Sequence, residues 1–311
     1  MSRAVAIITN SDQALHFSAG HPERPDRVRA ILERVRSDGE LVDVQWLEAG
    51  TPSRDLPLLV HTPAEIDTVE AMAAAGGGWF DADTYCTKDS FKVALSAAQC
   101  AAGATEAVMR DDFASVFAVA RPPGHHATAT RPMGFCLFNS AAIAVQLARQ
   151  RGGHRVAVVD IDVHHGNGTQ DIFYDDPAVL YTSVHQYPWY PGSGDGTERG
   201  GPNAEGTVVN VPVPAGTQGE RWLELFDERI VPAVDAFAPS LIVVSAGYDA
   251  HADDPLAELQ LTVDTYREIA QRVRRLADTH AHGRSVWVLE GGYDLEAISA
   301  SVAACLQALA A

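Results

Sequence analysis

Short runs of apolar, mostly β-branched residues alternate along the chain with longer segments whose apolar positions recur at helical spacing. The short runs predict strands at 116–120, 156–163, 179–184, 207–213, 241–246 and 286–290, and the opening MSRAVAIITN predicts an earlier strand. Helical patterns occupy 90–109, 139–149, 220–237, 263–278 and 296–309. Because strands that alternate with helices pair in parallel through helical crossovers, the pattern predicts an α/β fold with a parallel sheet.

Several predicted strands are apolar throughout, as in LIVVSAG, which is typical of strands covered by helices on both faces. No internal repeat, low-complexity tract or linker-like change of composition divides the chain, so we expect one domain over residues 1–311. The segment 187–206 is rich in Gly and Pro and has no periodicity. A loop of that length inside a compact domain is usually functional.

Polar motifs lie at the ends of four predicted strands. RPPGHHA follows FAVA, DIDVHHG ends the run RVAVV, GYDAHADDP follows LIVVSA, and EGGYD follows VWVL. In open α/β sheets the ligand crevice lies outside the carboxyl ends of the strands. The four motifs therefore predict one functional site at that edge of the sheet.

Charge and composition narrow the partners. The chain carries 41 acidic against 23 basic residues, a net charge of −18. This excess of acid argues against a nucleic-acid partner, because phosphate binding needs a basic face. It suits a cationic substrate such as a lysine-rich segment or a polyamine, although acidity also serves solubility alone.

The N-terminal segment lacks the basic region and long apolar run of a signal peptide, and no stretch approaches the roughly 18 apolar residues of a membrane span. We therefore expect a cytoplasmic protein without a membrane partner. Four cysteines stand in unrelated contexts without C-x-x-C spacing, which indicates reduced, packed thiols: Cys86, Cys100, Cys136 and Cys305.

Asp160, Asp162 and His164 are spaced two residues apart, which on an extended chain places their side chains on one face. Two carboxylates and an imidazole aimed together need a cation or protons between them. This donor set suits zinc or another borderline transition metal. The plainer interpretation, a strand leaving the sheet with solvated acids, is disfavoured by the apolar residues between the polar ones.

A catalytic zinc site typically has three protein ligands and one open position. If two ligands are Asp162 and His164, the third comes from another strand end. Asp249 in SAGYDAHADDP is placed for that role. On sequence grounds alone three neighbours compete with it: His251, Asp253 and Asp254.

Tandem histidines, His125 and His126, follow a stiff Pro-Pro-Gly turn. Histidine moves protons at neutral pH, and Asp160 or Asn167 is available to hold each ring in its tautomer. Tyr293 in LEGGYD has a phenol that can donate to a developing oxyanion. Read alone, that tyrosine is more simply a turn residue packed on the surface.

Two aromatic residues flank these clusters: Phe135 and Tyr190. Together they can wall an apolar slot, although each taken alone is ordinary packing.

Taken in order, HPERP, RPPGHHA, GFCLFN, DIDVHHGNGTQ, SAGYDAHADDP and LEGGYD resemble the signature series of zinc-dependent histone deacetylases. The motifs span 21–294, and their residues resemble those of class II members and bacterial relatives more than those of class I. The resemblance implies an arginase-like α/β fold, with one mainly parallel sheet of about eight strands between helical layers. It also implies zinc-dependent hydrolysis of acyl-lysine amides in proteins or peptides.

The same resemblance implies roles for individual residues. The zinc ligands are Asp162, His164 and Asp249. The catalytic residues are His125 with its partner Asp160, His126 with its neighbour Asn167, and Tyr293.

The resemblance also implies a substrate tunnel, an inner channel and a second cation. The tunnel residues are Gly134, Phe135, Tyr190 and Leu256. Arg24 lines an inner channel through which acetate leaves. A potassium ion lies beside the zinc, held through Asp160, Asp162, His164, Ser183 and the carbonyl of Val184.

Three alternatives remain open. An acetylpolyamine deacetylase shares every catalytic motif, but polyamine-selective relatives carry Glu where this chain has Leu256, or a long insertion where 76–89 is short. An arginase-like ureohydrolase needs a two-metal carboxylate cluster. A non-catalytic acyl-lysine reader would not need the histidines and the tyrosine. The acyl length, the physiological substrate and the possibility of a homo-oligomer stay open.

Overall fold

The computed structural model describes residues 4–311, and within them the chain forms ten β-strands. Their bounds are β1 Val5–Thr9, β2 Gln45–Glu48, β3 Gly77–Trp79, β4 Tyr85–Thr87, β5 Ser115–Ala118, β6 Val156–Asp160, β7 Val179–Gln186, β8 Val208–Val213, β9 Leu241–Ala246 and β10 Ser285–Leu289. Strands β3 and β4 form a small antiparallel hairpin. The other eight strands form one sheet.

Nine α-helices lie between and after the strands in the same part of the chain. They are α1 Asp26–Ser37, α2 Pro63–Ala74, α3 Ser90–Met109, α4 Ser140–Gln150, α5 Asn167–Phe173, α6 Gly219–Leu225, α7 Val231–Phe237, α8 Val263–His280 and α9 Leu295–Ala310. Short 3-10 turns occupy Ser11–Leu15, Gly39–Leu41 and Pro57–Leu59, and a π-helical turn, Phe226–Ile230, joins α6 to α7. None of the helices within residues 4–311 has the length and apolar character of a membrane span.

The large sheet has the strand order β2-β1-β5-β10-β9-β6-β7-β8, and every neighbouring pair is parallel. This confirms the predicted α/β fold with a single parallel sheet. The four strands whose ends carry the polar motifs are β5, β10, β9 and β6, which are consecutive in the sheet. Their carboxyl ends therefore meet at one edge, and the motifs converge there.

Side chains alternate between two apolar layers, as the pleat of a strand requires. Phe117 and Trp287 pack with helices α1, α8 and α9 on one face, whereas Val116 and Val286 pack with α3 and α4 on the other. Both faces of the central strands are thus covered, which explains their apolar runs. The described cysteines are all free and buried, as the sequence predicted.

The prediction of a strand over 156–163 is wrong in its length, because the ladder of β6 ends at Asp160. Beyond it, side-chain carboxylates replace the neighbouring strand as acceptors: Asp160 accepts from the N–H of Asp162, and Asp162 accepts from the N–H of His164. The predicted helix over 220–237 is interrupted by the π-helical turn. The strand at 241–246 and the helix at 90–109 have the predicted bounds.

Candidate active site

Three side chains converge beyond the ends of β6 and β9: Asp162, His164 and Asp249. Their ligand atoms lie within 4.8 Å of one another, and among the described residues this is the cluster suited to holding a metal ion. His164 Nδ1 is 3.0 Å from Asp162 Oδ1 and 3.2 Å from Asp249 Oδ2. Both carboxylates are fully buried.

Backbone N–H groups orient both carboxylates. Asp162 Oδ2 accepts from Gly291 N at 2.8 Å, and Asp249 Oδ1 accepts from Val163 N at 2.8 Å. Asp249 Oδ2 is buried without a hydrogen-bond donor, although His164 is near. A buried carboxylate oxygen without a donor is costly, so this orphan atom, with two carboxylates and one imidazole, fits a zinc ion.

Glycines leave the space that this cluster needs. A Cβ atom at Gly291 would overlap the carboxylates of Asp249 and Asp162, and one at Gly247 would overlap Asp162. The loops after β9 and β10 therefore approach the cluster more closely than any other residue type allows.

The structure separates Asp249 from its three sequence competitors. Asp254 Oδ2 accepts from the backbone N–H of Tyr293 at 2.6 Å, so its carboxylate holds the tyrosine loop. The side chain of Asp253 is 76% exposed, and His251 Nδ1 accepts from the N–H of Asp253 at 3.2 Å. The structure thus brings only Asp249 of the four to Asp162 and His164.

Charge is concentrated in this dry cluster. Burial alone lowers the pKa of the His164 imidazole, but Asp162 and Asp249 raise it to about 10. Burial raises the pKa of Asp249, and the charge of Asp162 raises it further. The cluster therefore favours positive charge at its centre.

The tandem histidines stand over the cluster on the turn that follows β5. Asp160 Oδ2 is 3.0 Å from His125 Nδ1, and Asn167 Oδ1 is 2.8 Å from His126 Nδ1. The two ring centroids are 4.0 Å apart. Because the Asn167 oxygen accepts from Nδ1, the proton of a neutral His126 ring lies on Nδ1 and Nε2 is left as an acceptor.

The two histidines differ in their electrostatics. Burial, together with the charges of His125 and His164, holds the pKa of His126 well below its ordinary value. Burial also opposes charge on His125, but the carboxylates of Asp162 and Asp160 raise its pKa well above the ordinary value. The pKa values of the two rings are shifted in opposite directions, so the two rings are suited to different tasks.

Two aromatic rings form the walls of a cavity of about 240 Å³ above the cluster. The rings of Phe135 and Tyr293 meet edge to face with their centroids 5.8 Å apart, and the rings of Tyr190 and His126 do so with their centroids 5.0 Å apart. Phe135 has a φ of +68°, a strained conformation that in a non-glycine residue is often tied to function. The lining contains these predicted residues: His125, His126, Gly134, Phe135, Asp162, His164, Tyr190, Leu256 and Tyr293.

Sequence reasoning missed two residues at the cavity: Asp83 and Trp189. Trp189 Nε1 donates to the carbonyl of Leu256 at 3.1 Å, which joins the 187–206 loop to the segment that carries Leu256. The aromatic YPWYP run was the available signal for Trp189. Asp83 lies in the hairpin between β3 and β4, where no pattern distinguished it from other surface acids.

The prediction for Arg24 does not hold, because its side chain is 43% exposed and is paired with Asp26 at the surface. Arg27, one helical turn later, is the buried arginine. Its guanidinium lies 4.8 Å from the ring centroid of Tyr293 and donates to the carbonyls of Glu290 and Gly292. Arg24 precedes α1, whereas Arg27 lies in its first turn, where these distant carbonyls hold its guanidinium.

The residues predicted to hold potassium lie on β6, β7 and the metal cluster. Asp160 is paired with Ser183 in the sheet register, and Val184 follows on β7. Ser183 Oγ is 2.9 Å from His185 Nδ1. Nothing in this geometry tests the ion itself, which stays a prediction.

Comparisons with known proteins identify the family of this chain. The histone deacetylase domain family matches residues 21–309. A probable deacetylase of Archaeoglobus fulgidus is 42% identical over 281 residues, which cover 90% of this chain and 78% of the relative. The histone deacetylase-like amidohydrolase of Pseudomonas aeruginosa is 38% identical over 279 residues, covering 89% and 73%.

Plant relatives extend the comparison to a solved structure. The chloroplastic histone deacetylase 14 of Arabidopsis thaliana is 45% identical over 312 residues, covering 94% of this chain and 74% of that one. The crystal structure of the HDA15 HD domain has a TM-score of 0.93 at 34% identity, and the match covers 99% of this chain and 89% of that one. The fold and the matches place this chain in the histone deacetylase family. Within that family it is a hydrolase of the deacetylase-like amidohydrolase type.

Replacing Asp249 with Ala should remove zinc, because only His164 and one carboxylate would remain in the cluster. Metal analysis of the purified variant should find zinc per chain reduced to background, with no turnover of acetylated peptide. Asp254→Ala is the matched control, and it should keep its zinc. Full zinc in Asp249→Ala together with loss of zinc in Asp254→Ala would contradict the assignment.

Proposed function

We propose that the chain hydrolyses the amide of acyl-lysine in proteins or peptides and releases acetate and free lysine. The observation that carries the proposal is the meeting of a metal-binding cluster, a neutral imidazole and a phenol at the end of one aromatic-walled cavity. A zinc ion held by Asp162, His164 and Asp249 would polarise the amide carbonyl and lower the pKa of water. The family membership supports the same chemistry.

The protein's own groups divide the remaining work. His126, kept neutral by burial, accepts the proton of the attacking water through Nε2 and returns it to the departing lysine amine. His125, held by Asp160, contributes positive charge beside the developing negative charge. The Tyr293 hydroxyl donates to the oxyanion of the tetrahedral intermediate.

The shape of the cavity supports a single extended side chain as substrate. Phe135 and Tyr190 both line it, and apolar walls favour the methylene chain of lysine over a polar one. A peptide backbone is much wider than such a chain. We infer that the slot admits an acyl-lysine side chain and excludes an internal peptide bond.

An acetylpolyamine is the second candidate substrate. Asp83 lines the cavity, and a carboxylate there attracts the second cation of a polyamine. Leu256 in the lining, where polyamine-selective relatives carry Glu, and the short segment 76–89, where they carry an insertion, favour lysine. An arginase-like reaction is disfavoured, since the described residues group one metal-binding cluster with a tandem histidine pair.

We further propose that potassium is held at the Asp160–Ser183 level of the sheet, as the family resemblance implies. We also propose the cytoplasm as the compartment. The four free and buried thiols support a reducing environment.

The substrate proposal is tested by turnover of an acetyl-lysine peptide beside acetylputrescine and acetylspermidine. The expected result is a higher kcat/KM for the peptide. A preference for either polyamine would move the proposal to the second candidate.

A long-chain hydroxamate should inhibit in the micromolar range or below, because it chelates zinc and places its linear chain between Phe135 and Tyr190. Unmodified peptides should not be cleaved. Robust cleavage of an unmodified peptide bond would contradict the narrow-slot interpretation.

Tyr293→Phe should lower kcat at least about a hundredfold, the usual effect of losing one oxyanion donor. The change keeps the ring, so zinc content and the binding of an acetyl-lysine peptide should survive. Steady-state assays on the zinc-loaded variant measure kcat. Metal analysis and an equilibrium binding measurement give its zinc content and its affinity for the peptide. A near-normal kcat would show that the hydroxyl is structural.

A further inference from the structure

Four charged side chains are buried next to the active site without lining its cavity: Glu23, Arg27, Arg121 and Glu290. Each is at most 1% exposed. Buried charges are tolerated only where partners and hydrogen bonds compensate their lost hydration. Their contacts are therefore informative.

The first half of the set is a chain of ion pairs. Arg121 donates to Glu23 through Nε at 2.7 Å and through Nη2 as well. Arg27 Nη1 donates to the same carboxylate, on Oε1, at 3.2 Å. One carboxylate thus holds two guanidinium groups.

Arg27 and Glu290 connect these ion pairs to two loops. Arg27 donates to the carbonyl of Glu290 at 2.5 Å. The side chain of Glu290 then accepts from the backbone N–H groups of Gly124 at 2.6 Å and His125 at 3.0 Å. Gly124 lies three residues after Arg121, so the series of contacts closes on itself.

This closed series, which we call the loop ring, joins the histidine turn 121–126 to the tyrosine loop 290–293. The two segments follow neighbouring strands, β5 and β10. Glu290 belongs to the tyrosine loop through its backbone and to the histidine turn through its carboxylate. It is the one member of the ring that contacts both segments directly.

We propose that Glu290 is a positioning residue that, through the loop ring, fixes the tandem histidines relative to Tyr293. The proposal rests on the proposed function, in which His126 transfers a proton while Tyr293 stabilises the oxyanion. Those two groups act on the same carbonyl, and a misplacement of about 1 Å in such a pair costs on the order of a hundredfold in rate.

Glu290→Gln tests the direct link. The amide keeps an oxygen acceptor of the same length, but it places an NH₂ group where Glu290 Oε1 lies buried without a donor. We expect kcat to fall about tenfold to a hundredfold, by the same positioning estimate, with KM, zinc content and hydroxamate binding nearly unchanged. Glu290→Ala, which removes the acceptor, should be slower still.

Glu65→Gln is the matched control. Glu65 is also a buried carboxylate with an unpartnered oxygen, but it lies on α2 outside the loop ring. Its substitution should leave kcat unchanged. Equal losses in the Glu65 and Glu290 variants would mean that kcat reports general damage to the fold and would overturn the proposal.

Arg121→Lys tests the ring at its contact with Glu23, away from Glu290. The lysine keeps the charge but loses the two-point contact with Glu23. Hydrogen exchange, which does not depend on activity, should increase in 290–294 as well as in 121–127. An increase confined to 121–127 would overturn the ring, whether or not Glu290→Gln can be purified.

A double-mutant cycle completes the test. If Arg121 and Glu290 act through one ring, the kcat of Arg121→Lys/Glu290→Gln should lie close to that of the slower single variant. Multiplicative losses would show independent effects and contradict the proposal. If the parent enzyme turns over no acetylated substrate, the proposed function fails, and the exchange measurement still decides the ring.

Discussion

Two buried carboxylates, Asp162 and Asp249, meet one imidazole, His164, where the central strands of the sheet end, and the rest of the site follows from that meeting. Without a cation or protons, such a concentration of negative charge in a dry place is unfavourable. The sheet makes it possible because β6 and β9 are neighbours, so their loops leave the same edge side by side. Glycines at 247 and 291 let the surrounding loops close over the carboxylates.

The loops that close over the cluster also carry the tyrosine and the partners of the tandem histidines. Gly291 donates to Asp162 two residues before Tyr293, and Asp254 fixes the backbone of that tyrosine. Asp160, at the last position of β6, orients His125. One short stretch of backbone therefore positions Asp162 of the candidate metal cluster and Asp160 beside His125, and a second positions the phenol of Tyr293. Because a few residues after each strand position several of these side chains, the motifs are short and polar and lie at strand ends.

The sequence predicted the sheet and the cluster because both depend on local rules. Apolar runs define buried strands, and parallel strands must place their carboxyl ends together, so the motif with Asp162 and His164 was predicted to meet the motif with Asp249. Local rules did not separate Asp249 from its three competitors, and that choice came from the family resemblance. The failures arise where a contact between distant segments decides. Arg24 and Arg27 differ only by one helical turn, and the choice between them depends on carbonyls more than 260 residues later. The end of β6 depends on side-chain acceptors that replace a strand, and Asp83 reaches the cavity through a hairpin without a distinctive pattern.

We propose that the Asp162–His164–Asp249 cluster holds one zinc ion and that hydrolysis of acyl-lysine requires it. The most direct measurement is a titration of chelator-stripped protein with zinc, in which bound metal and turnover of an acetyl-lysine peptide are followed together. We expect activity to rise from background and to reach its plateau at one zinc per chain. Full activity in stripped protein, or a plateau that needs two zinc ions per chain, would contradict it.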